Sequence, residues 1–159
     1  MNKCAELEMT NQEKEIESIK QTLEDYAIAY CAKDIEAIMQ VFDASNNISV
    51  IGTGARELCV GRDQVKSLFL DNFEEATAQR IEWTWIDIRL SNNHAVASVT
   101  LILHLNYKGK EMQVPIRWTV VLKHQNERWV WLHRNASTAA ISQDEGQAYP
   151  KEKIIWNES

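Results

Sequence analysis

The residues able to do chemistry in this chain are few and scattered. Cys4, Cys31 and Cys59 are odd in number and widely spaced, with no CxxC pair and no His/Cys cluster. Reduced structural thiols are the plain reading of that pattern. His133 has no second ligand at metal spacing, which is weak ground for a metal site. The densest stretch of unusual residues is VIGTGARELCVGRD, Val50 to Asp63, with three of the five glycines of the chain. A phosphate-binding P-loop needs Lys-Ser or Lys-Thr directly after its last glycine, at the start of a helix. Here Gly61 is followed by Arg62-Asp63, and an acidic group at a phosphate seat repels the ligand. A dinucleotide loop needs G-x-G-x-x-G, whereas Gly52-Thr53-Gly54 runs into Ala55-Arg56-Glu57. Both nucleotide readings fail. The glycines read instead as a corner between short strands, with Gly61 permitting a bend into a helix.

The elements that must position any site follow from periodicity. Ile16, Ile19, Leu23, Tyr26, Ala27 and Tyr30 fall on one face of a helix from Glu13 to Ala32. Asp34 suits the cap of a second, shorter helix. Ile48 to Ile51 and Glu57 to Val60 read as short strands. After Gly61 a third helix carries Val65, Leu68, Phe69 and Phe73 on one face. Beyond Gln79 the period changes to two. Strands are expected at 81–90, 95–107, 111–124 and 128–137, joined by tight turns that include Lys108-Gly109. Pro115 implies a strand edge or a bulge. Helices followed by a meander mean α+β, with helices on one face of a curved antiparallel sheet. The 159 residues make one domain of ordinary composition, 45% apolar and 25% charged. A net charge of −6 argues against a nucleic-acid partner or a membrane-binding basic patch. No apolar run approaches the ~18 residues of a membrane span, and the start lacks a signal-peptide core. A cytoplasmic protein is expected.

This arrangement resembles the cone-shaped fold of the nuclear transport factor 2-like superfamily, and within it the SnoaL-like domains, relatives of ketosteroid isomerase. Three stretches carry the resemblance: YAIAYCAKDIEAIMQVFD, VIGTGARELCVGRDQVKSLF and RWTVVLKHQNERWVWLHRNAS. It covers residues 13–140, leaving 1–12 as a flexible N-terminus and 141–159 as a tail. In ketosteroid isomerases a helix-1 Tyr and a strand Asp form an oxyanion hole, and a second Asp abstracts the proton. The Tyr corresponds to Tyr26. The two Asp positions fall near Val50 to Gly52 and near Trp118, where no carboxylate stands. Proton abstraction needs a base within hydrogen-bond reach, so that mechanism is rejected and no catalytic residue is assigned.

Strand parity, aligned to the family, sorts the remaining residues. Leu103, Trp118 and Arg134 are expected to face the cavity together with Tyr26, closed by the helix that begins at Arg62. Arg117, Thr119, Val121, Trp129, Trp131, His133 and Asn135 are expected on the opposite, convex face. Two Trp there would be costly to expose, and family members pair through this face, so a homodimer is implied. Trp83 and Trp85 share one face of the first long strand. The family often has a second His two residues after His133, but Asn135 stands there, and no metal or cofactor is implied. Arg134 among apolar groups needs an anionic partner, internal or on a ligand. The expected function is a homodimeric module binding a small apolar or weakly acidic ligand in its cone. The alternative is an isomerase, cyclase or hydrolase on a polyketide-, steroid- or terpenoid-like substrate, with Tyr26, Asp87 or Arg134 as its visible candidates.

Overall fold

The computed structural model describes residues 9–149. Helix α1 (Asn11–Cys31) starts at Thr10, whose hydroxyl accepts from Glu13 N at 3.2 Å while the Glu13 carboxylate accepts from Thr10 N at 2.7 Å. This reciprocal box satisfies two otherwise unpaired amides. Lys33, at φ 55, turns the chain out of α1, and its Nζ donates to Phe73 O at 2.6 Å. Asp34 caps helix α2 (Ile35–Val41), accepting from Ala37 N at 3.0 Å. Strands β1 (Ser49–Ile51) and β2 (Leu58–Val60) form the glycine-cornered hairpin. Gly61, at φ 81, then opens helix α3 (Arg62–Glu75); a side chain there would be strained.

Four long strands follow: β3 (Thr77–Ser91), β4 (His94–Tyr107), β5 (Lys110–Gln125) and β6 (Arg128–Ser137). The sheet order is β2-β1-β6-β5-β4-β3, antiparallel except for β1 beside β6. Pro115 pairs with Ile102 of β4, but β6 ends opposite Arg117, so the other side of Pro115 is a local edge. The missing amide therefore breaks no ladder.

The register slips at three places. Gln79 and Thr84 are extra residues in β3, and Leu132 is extra in β6. Each bulge bends its strand and re-aims the side chains beyond it. Two expectations fail for this reason. Trp131 pairs with Leu122 while His133 pairs with Val121, so both flanking residues of Leu132 cannot share a face. Trp129 and Trp131 point inwards and are buried, Trp131 completely. Trp83 pairs with Leu101 and faces the core, whereas Trp85 pairs with Thr100 and is 54% exposed on the convex side. The three helices close the concave face. At its centre Tyr26 stacks on Trp131 with ring centroids 5.0 Å apart, with Phe42, Phe69 and Trp118 edge-on or tilted around the pair. Such geometries suit the ring quadrupoles.

Asp43, just after α2, is buried and accepts from Gln125 Nε2 at 2.7 Å and Ser45 Oγ at 2.9 Å. Burial alone would push its carboxyl up; these donors and Lys123 outweigh that and hold it below its usual range. The α1 helix begins inside the 1–12 segment, and 141–149 forms turns. Cys4 and the Ile154-Ile155-Trp156 end of the tail lie outside the described residues. No helix among the described residues is long and apolar enough to cross a membrane.

Candidate functional site

The concave face of the sheet does not fill completely. Between it, α1, α3 and the β1–β2 corner lies a cavity of about 380 Å³, within the range of small-molecule sites. Alternate residues of β4 and β5 supply its wall: Leu101, Leu103, Leu105, Val114 and Ile116. Helix α1 supplies Tyr26 and Tyr30, and α3 supplies Leu68, Asn72 and Glu75. Tyr26, Leu103, Trp118 and Arg134, grouped by parity and family alignment, all line this space, and α3 closes it. The parity of β6 holds for Arg134 and Ala136 because both lie beyond the Leu132 bulge. It fails for Trp129 and Trp131, which lie before it.

Arg134 is the most unusual group here. It is 6% exposed, and its Nη1 donates to Tyr26 Oη at 3.0 Å. The guanidinium carbon lies 5.1 Å from the centre of the Trp118 ring and 5.6 Å from that of Phe69. No carboxylate of the described residues lies within ion-pair distance of it. Among the described residues its Nε finds no acceptor. Trp83 Nε1 is likewise without one, but Trp83 does not line the cavity. A buried cation left so incompletely satisfied is expensive.

The neighbouring phenols hold their protons at neutral pH. Burial pushes Tyr26 far above its usual range, against the opposing influence of Arg134, and pushes Tyr30 up as well. Tyr26 therefore serves Arg134 as a neutral acceptor. In the two regions where the resemblance implied an Asp, near Val50 to Gly52 and near Trp118, the cavity is lined by Gly52 and Trp118. Asp87 does not reach it: it pairs with Ser98 on the convex side and with Arg89 at 2.9 Å.

Sequence reasoning missed two carboxylates that line the cavity, Glu57 and Glu75. Glu57 Oε2 accepts from Gly54 N at 2.7 Å. A Cβ at Gly52 would sit 2.7 Å from the Glu57 carboxyl carbon. The glycines are thus needed to seat Glu57 against the corner, and the GTGARE spacing was the available signal. A second hollow, about 730 Å³, lies between α1, α2 and the β5–β6 turn. Although larger, it is bordered by polar groups that bond to the protein, including Trp129 Nε1 to Glu15 at 2.6 Å and Arg128 to Gln40 O at 2.7 Å. The cone cavity is the better candidate because its buried polar group is not so satisfied. Among the described residues no group of three or more His, Cys, Asp or Glu is placed to hold a metal ion. His133 Nδ1 instead lies 2.8 Å from Ser49 Oγ, and Cys31 and Cys59 are free thiols.

Comparison with known proteins agrees with this architecture. No curated protein matches the sequence. Among solved structures the chain is similar to a provisionally assigned aromatic ring hydroxylase from Novosphingobium aromaticivorans, at 16% identity over 78% of this chain and 88% of that one, with a TM-score of 0.70. It is similar to a provisionally assigned dehydratase of the nuclear transport factor 2-like family from Streptomyces avermitilis, at 14% identity over 80% and 98%, TM-score 0.65. A protein of cystatin-like fold from Caulobacter vibrioides matches at 19% identity over 80% and 92%, TM-score 0.65. At such identities the likeness shows the fold: helices on a curved open sheet. The model of the SnoaL-like domain matches residues 19–142, from the buried stripe of α1 to just past β6. The chain belongs to the SnoaL-like domain family.

Proposed function

We propose that the protein is a homodimeric module that binds a small apolar or weakly acidic molecule inside its cone. The observation that carries this reading is the cavity itself, an aliphatic and aromatic chamber with one buried, incompletely satisfied Arg134. Convergent polar groups in an otherwise apolar hollow are the usual form of a small-molecule site. The neutral fluorophore N-phenyl-1-naphthylamine should bind with one site per chain and a blue-shifted emission. Leu103→Trp, which fills the chamber, should abolish that signal. Unchanged dye binding in that variant would place the probe elsewhere and remove the reading.

Pairing is proposed through the convex sheet face. There Trp85, Val96, Ile102 and Val121 accompany Arg117, Thr119, His133 and Asn135. Exposed Trp85 now takes the part that the two inward-facing Trp of β6 cannot play.

A second reading, an isomerase, cyclase or hydrolase on a polyketide-, steroid- or terpenoid-like substrate, has one observation in its favour: Glu57 borders the cavity and is the right type for a base. The hydroxylase and dehydratase assignments of the structural neighbours fit that reading too. Ligand turnover abolished by Glu57→Gln would establish it over simple binding.

A further inference from the structure

The placement of charge in the cavity is one-sided. At the buried end Arg134 sits among Tyr26, Phe69 and Trp118 with a single hydrogen bond to the described residues, to Tyr26. Glu57 lies on the near side, across from Gly52 and level with Ala136; at the far, exposed end stands Glu75, the last residue of α3, just before the strand that pairs with Leu105 and Asn106. The ladder Leu101, Leu103, Leu105 lies between, spanning about 13 Å along β4. Aromatic faces compensate a guanidinium only in part, and a neutral phenol adds one acceptor. The remaining donors fit a planar, singly charged acceptor, which a guanidinium grips as a fork. A phosphate would bring more charge than one Arg can match.

We infer that the cavity takes a monocarboxylic acid, head inward on Arg134 and apolar body along the leucine ladder, with Glu75 excluding a second negative charge at the open end. This rests on the cavity being the ligand site and names the class of ligand. Both ends are needed for selectivity. Arg134 rewards one carboxylate, and Glu75 penalises a diacid whose far end would sit beside it.

Calorimetry at neutral pH with decanoate, decanol and sebacate tests both ends. Decanoate should bind the wild-type protein at least tenfold more tightly than decanol, and sebacate should bind more weakly than decanoate. In Glu75→Gln, sebacate should gain at least threefold relative to decanoate. In Arg134→Met, decanoate should fall to the affinity of decanol. If Arg134→Met does not fold, the wild-type comparison and the glutamate variant decide the matter by themselves. Equal binding of decanoate and decanol by the wild type would overturn the acid inference and leave the cavity reading standing. Binding of none of the three would overturn both. A sebacate-to-decanoate ratio unmoved by Glu75→Gln would remove Glu75 from the selectivity.

Discussion

Trp131 shows how much one residue's direction decides. Fully buried, it stacks on Tyr26, meets Phe42 edge-on and donates from Nε1 to Thr22 Oγ1 at 2.8 Å. Truncating it empties a large volume at the centre of the aromatic cluster and leaves the Thr22 hydroxyl without its donor. Trp131→Ala should therefore cost about 3–5 kcal/mol of stability, read from urea denaturation. Its folded fraction should keep the wild-type sedimentation mass, because the residue packs within its own chain. A variant of unchanged stability but altered mass would return Trp131 to an interface. Arg134, three residues later, also points inwards, but towards a chamber rather than a packed neighbour.

The strands owe their register to turns and bulges, and one turn carries a local conflict. The β5–β6 hairpin places both Asn126 (φ 49) and Glu127 (φ 62) in the left-handed region. Asn tolerates this region through its short polar side chain; Glu has no such compensation. The β4–β5 hairpin uses Lys108 (φ 50) and Gly109 (φ 82), which suits the second position. Glu127→Gly should raise stability by about 0.5–1 kcal/mol, relief of strain exceeding the added freedom of the unfolded chain. A lowered urea midpoint with unchanged slope would refute that balance. The bulges at Gln79, Thr84 and Leu132 are the matching devices for curvature, and they let the sheet wrap a hollow instead of stacking flat on the helices.

For the whole molecule, the question is what covers the convex face. Rows such as Trp85–Thr100–Arg117–Ser137 and Arg89–Val96–Val121–His133 cross the sheet there. Trp85 at 54% exposure and Val96 at 38% form its apolar part. The proposed dimer should sediment at twice the 18.3 kDa of the chain at micromolar concentration. Trp85→Glu should yield folded monomer, since the variant side chain is solvated in one chain but would be buried unpaired between two. A wild-type mass of one chain would end the dimer proposal; a Trp85→Glu dimer would move the contact to another face.

The sequence by itself determined the element order, the cap at Asp34, the tight hairpins and the α+β layering, because these depend on periodicity and turn chemistry within a few residues of each other. It also placed Tyr26, Leu103, Trp118 and Arg134 together, since the family frame fixed the faces of those strand segments. It could not place Trp85, Trp129 or Trp131. A period of two assigns faces only while the ladder stays in register, and one extra residue opposite a partner strand reverses the assignment for everything before it. Nor did it place Glu57, whose approach to the cavity depends on how a glycine corner folds back against α3. Those positions are set by which residue stands opposite which across the sheet, and only the tertiary structure decides that.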